Sequence, residues 1–258
     1  MAVTISASTW LNLGDLAITD YPFTISGWFK SEMSGSMQTF VEFKDASETS
    51  GHLLLYAGHP TGWVAALTID QGTVGAAVSV SSVQPGEWHH LAGVFRAVNS
   101  RSIYFDGVFE NTLTNPREFH TLTHYRVGGA SLPGTFDAAE VAIWRSEVAA
   151  DQIAELAAGA TPLSLPCRKD LVAYHDFVAR GNRPGLGPLA TSAQSPAATT
   201  HPRVLKARNS PVFSQRARAP GPFWDAASQS YSAGAAAAEA WAAGLASNDL
   251  DPCAEVIS

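Results

Sequence analysis

Residues 84–109 read QPGEWHHLAGVFRAVNSRSIYFDGVF, and no other stretch limits the possible folds as sharply. Pro85-Gly86 makes a turn. Residues 88–96 then run through aromatic, β-branched and apolar side chains, the composition of a strand covered on both faces. Residues 97–100 are small and polar, a short connection. In residues 101–106, Ile103 and Phe105 fall on one side and Ser102 and Tyr104 on the other, the period of a strand. Asp106-Gly107 is a strong hairpin signal, because both residues tolerate the positive φ of a tight turn. Val108 and Phe109 begin the return strand, so the stretch encodes three successive antiparallel strands.

The same punctuation recurs on both sides. Residues 3–6 and 9–13 read as short strands. Phe23, Ile25, Gly27 and Phe29 alternate with Thr24, Ser26, Trp28 and Lys30, and Gly27 marks a point where a bulky neighbour needs room. Residues 31–37 are a loop, and Phe40, Val41 and Phe43 form the next strand. A polar turn at 45–51 leads to strands at 52–57, 63–69 and 73–80, separated by turn residues at 58–62 and 70–72. A loop at 115–121 precedes strands at 123–128 and 136–144. Closely spaced short strands of this kind predict an all-β, two-sheet antiparallel sandwich rather than a parallel α/β sheet. Residues 150–158 predict one short helix, with Ile153, Leu156 and Ala157 on one face packing onto the sheet rim and Gly159 ending it. Its N-cap position is Ala149, which forgoes a capping hydrogen bond worth about 1 kcal/mol. Residues 171–177, LVAYHDF, read as a further strand.

Charge divides the chain. Residues 1–165 carry 7 basic and 16 acidic side chains, residues 166–225 carry 9 and 3, and residues 226–258 carry 4 acidic and none basic. The net charge of −7 argues against general nucleic-acid binding. The opening MAVTISASTW has neither the charged nor the apolar region of a signal peptide, and no apolar run is long enough to span a membrane. Cys167 and Cys253 make no disulfide framework and no zinc spacing, so two free thiols in a reducing compartment are expected.

The texture changes after Phe177. Residues 180–200 are rich in Gly, Pro, Ala, Ser and Thr, with too few large apolar residues for a core of their own. Residues 201–207 read as a short edge strand, and 178–225 as an extended arm that either wraps on its own sheets or docks on an acidic neighbour. Residues 232–247, SAGAAAAEAWAAGLAS, predict an Ala-rich helix with Trp241 and Leu245 four apart. These two, with Arg203, Arg208, Arg216 and Arg218 of the cationic block, are the residues expected to dock on a partner. The expected division is a sandwich domain at 1–177 and an arm with a C-terminal helix at 178–258.

Three ordered segments carry a resemblance: TWLNLGDLAITDYPFTISGWFKS at 9–31, GEWHHLAGVFR followed by IYFDGV in the central stretch, and FDAAEVAIWRSEVAADQIAELAAG at 136–159. Together they resemble the laminin-G-like and pentraxin-like domains of the concanavalin A superfamily, which implies a jelly roll. The run from LVAYHDF through NRPGLGP to HPRV is similar to the tails of laminin-G-like proteins encoded by tailed bacteriophages. The superfamily implies three functional classes: glycan or ligand binders, often calcium-dependent, glycoside hydrolases, and structural or adhesion modules.

Each class needs its own residues. A hydrolase needs two carboxylates about 5–9 Å apart across a cleft. The E-x-D-x-x-E string of the laminarinase-type relatives is missing, and Asp137 and Glu140, like Glu42 and Asp45, are three apart and so face opposite ways on a regular strand. A calcium site needs about six or seven oxygens. The stretch that matches the pentraxin calcium loop, residues 128–135, holds no acid, so no cofactor is expected. Asp15 and Asp20 read as turn residues, and His89-His90, as strand neighbours, point to opposite faces and form no metal pair. Tyr56, Trp63 and Tyr104 are the aromatic candidates for stacking on a sugar.

The expected function is therefore non-enzymatic: a virion structural protein of a tailed bacteriophage, a capsid decoration or accessory component assembled in the host cytoplasm. Capsid subunits and further copies of the chain are its expected partners. A glycan-binding adhesin is the alternative and a glycoside hydrolase the third.

Overall fold

The structure, a computed structural model, describes residues 2–6, 10–31, 37–56, 62–130 and 132–177, and four short strands beyond them. Thirteen strands build the described body. They are β1 (Ala2–Ile5), β2 (Leu11–Asn12), β3 (Phe23–Ser31), β4 (Gln38–Lys44), β5 (Gly51–Tyr56), β6 (Trp63–Asp70), β7 (Thr73–Ser82), β8 (His89–Ala97), β9 (Ser100–Phe105), β10 (Val108–Leu113), β11 (His124–Val127), β12 (Phe136–Trp144) and β13 (Leu171–His175). One helix, α1 (Ala150–Ala157), lies between β12 and β13.

Two antiparallel sheets face each other. The first runs β10-β9-β8-β3-β12, with β1 and β13 sharing the far edge of β12; the second runs β2-β11-β4-β5-β6-β7. Alternating residues meet between them. Phe23, Ile25 and Phe29 of β3 pack against Phe40, Val41 and Phe43 of β4, and Phe95, Ile103, Phe105 and Tyr125 complete the layer. Each such fully buried apolar side chain contributes roughly 1.5–3 kcal/mol. Gly27 lies in this layer because a β-carbon there would stand 2.9 Å from the Phe29 ring and 3.1 Å from Val141.

The hairpin at Asp106-Gly107 has φ of +46° and +82°, the conformation those two residues were expected to adopt. Asp106 also explains the W-H-H strand. Its carboxylate accepts the ring N–H of His89 at 2.8 Å and the backbone N–H of His90 at 2.8 Å. Gln84 N–H donates to the other His89 ring nitrogen at 3.2 Å, so both ring nitrogens are engaged and the ring is locked into the turn. His90 turns to the opposite face, against Trp28.

The helix lies over the outward face of the nine-stranded sheet rather than on its rim. Ile153 and Leu156 join Ala92, Val94, Tyr104, Trp144 and Leu165 in a second buried cluster. Cys167 is buried in that cluster. Gly159, at φ +98°, and Ala160 return their N–H groups to Leu156 and Glu155, which satisfies the last turn. Ala149 makes no side-chain cap. Ala149→Ser is expected to raise the unfolding free energy by about 1 kcal/mol, read as a shifted urea midpoint at unchanged m-value.

Beyond Phe177, Pro184–Leu186 (β14) pairs with β13 and Ala197–Thr199 (β15) with β1, so both extend the first sheet. Phe223–Asp225 pairs with Ser230–Ser232 in a ribbon of its own. The strand expected at 201–207, the Ala-rich helix and Cys253 lie outside the described residues.

Candidate functional site

The outward face of the six-stranded sheet carries the site. Strand registers line up Asn12, Arg126, Glu42, Leu53, Leu67 and Ala76 across all six strands. Directly opposed residues share a face, and five inter-strand steps of about 4.8 Å make this row roughly 24 Å wide. One half is ionic and the other apolar.

In the ionic half, Arg126 donates to Glu42 Oε1 at 2.8 Å through one nitrogen and to Glu48 Oε1 at 2.8 Å through another. Glu42 is fully buried and also accepts the Ala130 N–H at 3.1 Å, which ties the 128–135 loop to β4. Arg126's hydrogen bond first, then its charge, hold Glu48 below the usual carboxylate range. The same two partners hold the Arg126 guanidinium above its ordinary value, against its partial burial. The guanidinium lies 5.6 Å from the centroid of the Trp10 ring, and Trp10 is 40% exposed. A tryptophan thus stands in solvent with a cation stacked on it, and that cation is held by two carboxylates.

In the apolar half, Leu53 and Leu67 are buried, with Trp63, Ile69, Ala76 and Leu132 packed on them. Beside the ionic half, at the end of the sandwich, Glu48 also lines an open depression of about 700 Å³ with Lys44, Asp45, Ile69, Gln71 and His120. Its acids are engaged. Asp45 accepts from the backbone of Thr49 and Ser50 and from the Ser47 hydroxyl, Glu48 holds Arg126, and the lining His120 pairs with Asp70 at 2.8 Å.

The aromatic candidates separate. Trp63 is half-buried on this face. Tyr104 is 3% exposed beneath the helix, with Phe109 edge-on to its ring, so a sugar cannot reach it; it stands on the outward face of β9, in the cluster that α1 covers. The side chain of Tyr56 lies outside the described residues, as do Trp241, Leu245, Arg203, Arg208, Arg216 and Arg218. Trp10 is the residue the sequence reading missed, because its partner Arg126 stands on a distant strand.

The carboxylate pairs need one correction. A bulge interrupts β12 between Ala139 and Ala142, with Glu140 at φ +51°. The alternation is broken, and Asp137 and Glu140 lie on the same outward face rather than on opposite ones. Asp137 accepts from Thr4 and pairs with Lys30 at 2.8 Å, while Glu140 accepts the Tyr174 hydroxyl. Both acids are buried, at 7% and 4% exposure. Asp15 and Asp20 accept nearby backbone N–H groups, as turn residues do. Among the described residues no group of three or more His, Cys, Asp or Glu is placed to hold a metal ion, and no helix is long and apolar enough to cross a membrane.

Two facing antiparallel layers with an aromatic-bearing outer face define a lectin-like jelly roll. The chain belongs to the laminin-G type of the Concanavalin A-like lectin/glucanases superfamily, whose family model matches residues 6–154. No curated protein sequence matches it. Among solved structures it is similar to domain 4 of AbnA, a GH43 extracellular arabinanase from Geobacillus stearothermophilus in complex with arabinotriose. The identity is 20%, over 60% of this chain and 76% of that one, with a TM-score of 0.50. It is also similar to a heptameric SAP-like pentraxin from Limulus polyphemus, at 9% identity over 58% of this chain and 81% of that one, TM-score 0.43. The receptor-binding domain of a botulinum neurotoxin mosaic serotype C/D matches at 14% identity over 60% of this chain and 41% of its own length, TM-score 0.49.

Proposed function

We propose that the chain is a non-enzymatic glycan-recognition module that holds a neutral oligosaccharide on the outward face of the six-stranded sheet. One observation carries this reading: Trp10 offers an indole to solvent, backed by Arg126 and fixed through Glu42 and Glu48. Aromatic faces stack on the apolar faces of sugar rings, and neighbouring carboxylates accept sugar hydroxyls. Two carboxylates around one guanidinium leave the cluster net negative within an acidic domain, so it disfavours acidic sugars. The likeness to the arabinotriose-bound arabinanase domain is one of fold and contributes no residue here. The absence of activity rests on the acids themselves, since Glu42, Asp137 and Glu140 are each buried and hydrogen-bonded. Trp10→Ala is expected to abolish binding in a titration with neutral oligosaccharides while leaving the unfolding midpoint unchanged. Release of reducing ends during that titration would refute the non-enzymatic part.

A second reading is the capsid decoration or accessory role in a tailed bacteriophage. It calls on residues 178–258 as a lacing arm, and β14 and β15 favour an arm that begins by wrapping on its own sheet. Co-sedimentation of the chain with assembled particles would support the virion reading; a purified chain that binds glycan and no particle would oppose it.

A further inference from the structure

The glycan reading leaves unused a pair of arginines at the loop end of the sandwich. Arg101 sits on the inward side of β9, in step with Ile103 and Phe105, and is 1% exposed. One of its nitrogens donates to Val98 O at 3.0 Å and Asn115 O at 2.9 Å; Nη1 is buried and meets no acceptor among the described residues. Arg117 donates to Asn115 Oδ1 at 3.0 Å, Pro116 O at 2.6 Å and Val74 O at 3.1 Å, and its Nε is likewise buried without an acceptor. The two side chains meet over Gly75. A β-carbon there would collide with Arg101 Nη1 and lie 3.3 Å from Arg117 Cγ, so the glycine clears the ground both occupy.

Every acceptor these guanidinium groups reach is a neutral carbonyl. The nearby carboxylate of Asp70 bonds His120 and the Glu118 N–H and feels the charge of the half-buried Arg117, but no carboxylate is among the groups acting on the buried Arg101. A guanidinium does not shed its proton, and a buried cation without a counter-charge is strongly unfavourable. Burial, and more weakly the like charge of Arg117, lower the Arg101 pKa. We propose that a small inorganic anion of chloride size binds between Arg101 Nη1 and Arg117 Nε, where it supplies the missing charge and locks the 115–121 loop onto the sandwich.

Thermal unfolding in sodium chloride against sodium gluconate at equal ionic strength tests this on the full chain. Raising chloride from about 10 to about 300 mM at the expense of gluconate is expected to raise the Tm by a few degrees, the linkage of a ligand that binds only the native state. Arg117→Gln, at a half-buried loop position, is expected to fold and to lose that difference. Bromide-soaked crystals of the native chain are expected to show an anomalous peak within hydrogen-bond reach of both arginines. Equal Tm values in chloride and gluconate, an undiminished chloride response in Arg117→Gln, or no bromide at that position would each overturn the proposal. If Arg117→Gln does not fold, the bromide measurement decides alone.

Discussion

Between pH 7 and pH 4.5 the domain is expected to lose roughly 8 kcal/mol of stability and to unfold before most of its carboxylates protonate. The cause is three buried histidines: His52, His90 and His175 are 1%, 1% and 0% exposed. Burial pushes His52 down to about 3, with the charge of Arg101 adding to it. Burial brings His90 and His175 down to about 4, opposed in part by Asp106 and Asp176 respectively. A histidine whose folded pKa lies below its unfolded value binds protons preferentially when unfolded. Its contribution is complete above about pH 6.5 and is lost as pH falls toward the folded pKa, at up to about 1.4 kcal/mol per pH unit for each group. The acids act later with the same sign, since Asp45, Glu48, Asp70 and Glu110 are all held below their ordinary values. His52 is ringed by Tyr21, Phe23, Phe95 and Phe119 and bonds Thr68 at 3.0 Å. His52→Phe is expected to remove about a third of the slope of unfolding free energy against pH, read from urea melts at several pH values. A flat profile down to pH 4.5 would contradict the burial of these rings.

Glu42→Ala is expected to cost about 3–5 kcal/mol, the penalty for stripping one partner from a buried ion pair. Glu42 has no exposed surface, and its removal leaves Arg126 with Glu48 alone. It also releases the Ala130 N–H, so the 128–135 loop loses an anchor to β4. Glu42→Gln keeps the shape and an acceptor for both donors, so its cost is expected to be about half as large. A double-mutant cycle with Arg126→Ala isolates the pair and is expected to give a coupling of at least 1–2 kcal/mol. A loss under about 0.5 kcal/mol for Glu42→Ala would mean the cluster is not the rigid support for Trp10 described above.

Local chemistry made most of the fold legible. Asp106-Gly107 and Gly72 occupy positive φ because aspartate and glycine go there easily, and Gly27 left room for Phe29 as its place in an apolar strand implied. The bulge in β12 was not legible. Glu140 sits at positive φ within FDAAEVAIW, where no turn residue signals it, and the register against β3 imposes it. The helix ended where Gly159 indicated, yet its place over the sheet face follows from Tyr104, Trp144 and Leu165 meeting in three dimensions. The same limit hid the site. Trp10, Glu42 and Arg126 come from distant parts of the chain and become neighbours only through the pairing of β11 with β2 and β4. Glu110 gave no signal either, although its carboxylate accepts from Val80 and Ser81 and stitches the edges of the two sheets together.

The most direct test of glycan recognition on the outward face is a protein NMR titration of the full chain with neutral oligosaccharides, following the Trp10 indole N–H. Saturable movement of that resonance, together with the amides of Arg126 and the 128–130 segment and lost in Trp10→Ala, is the expected result. Saturable binding that leaves Trp10 unmoved, or no binding to any neutral oligosaccharide at millimolar concentration, would contradict it.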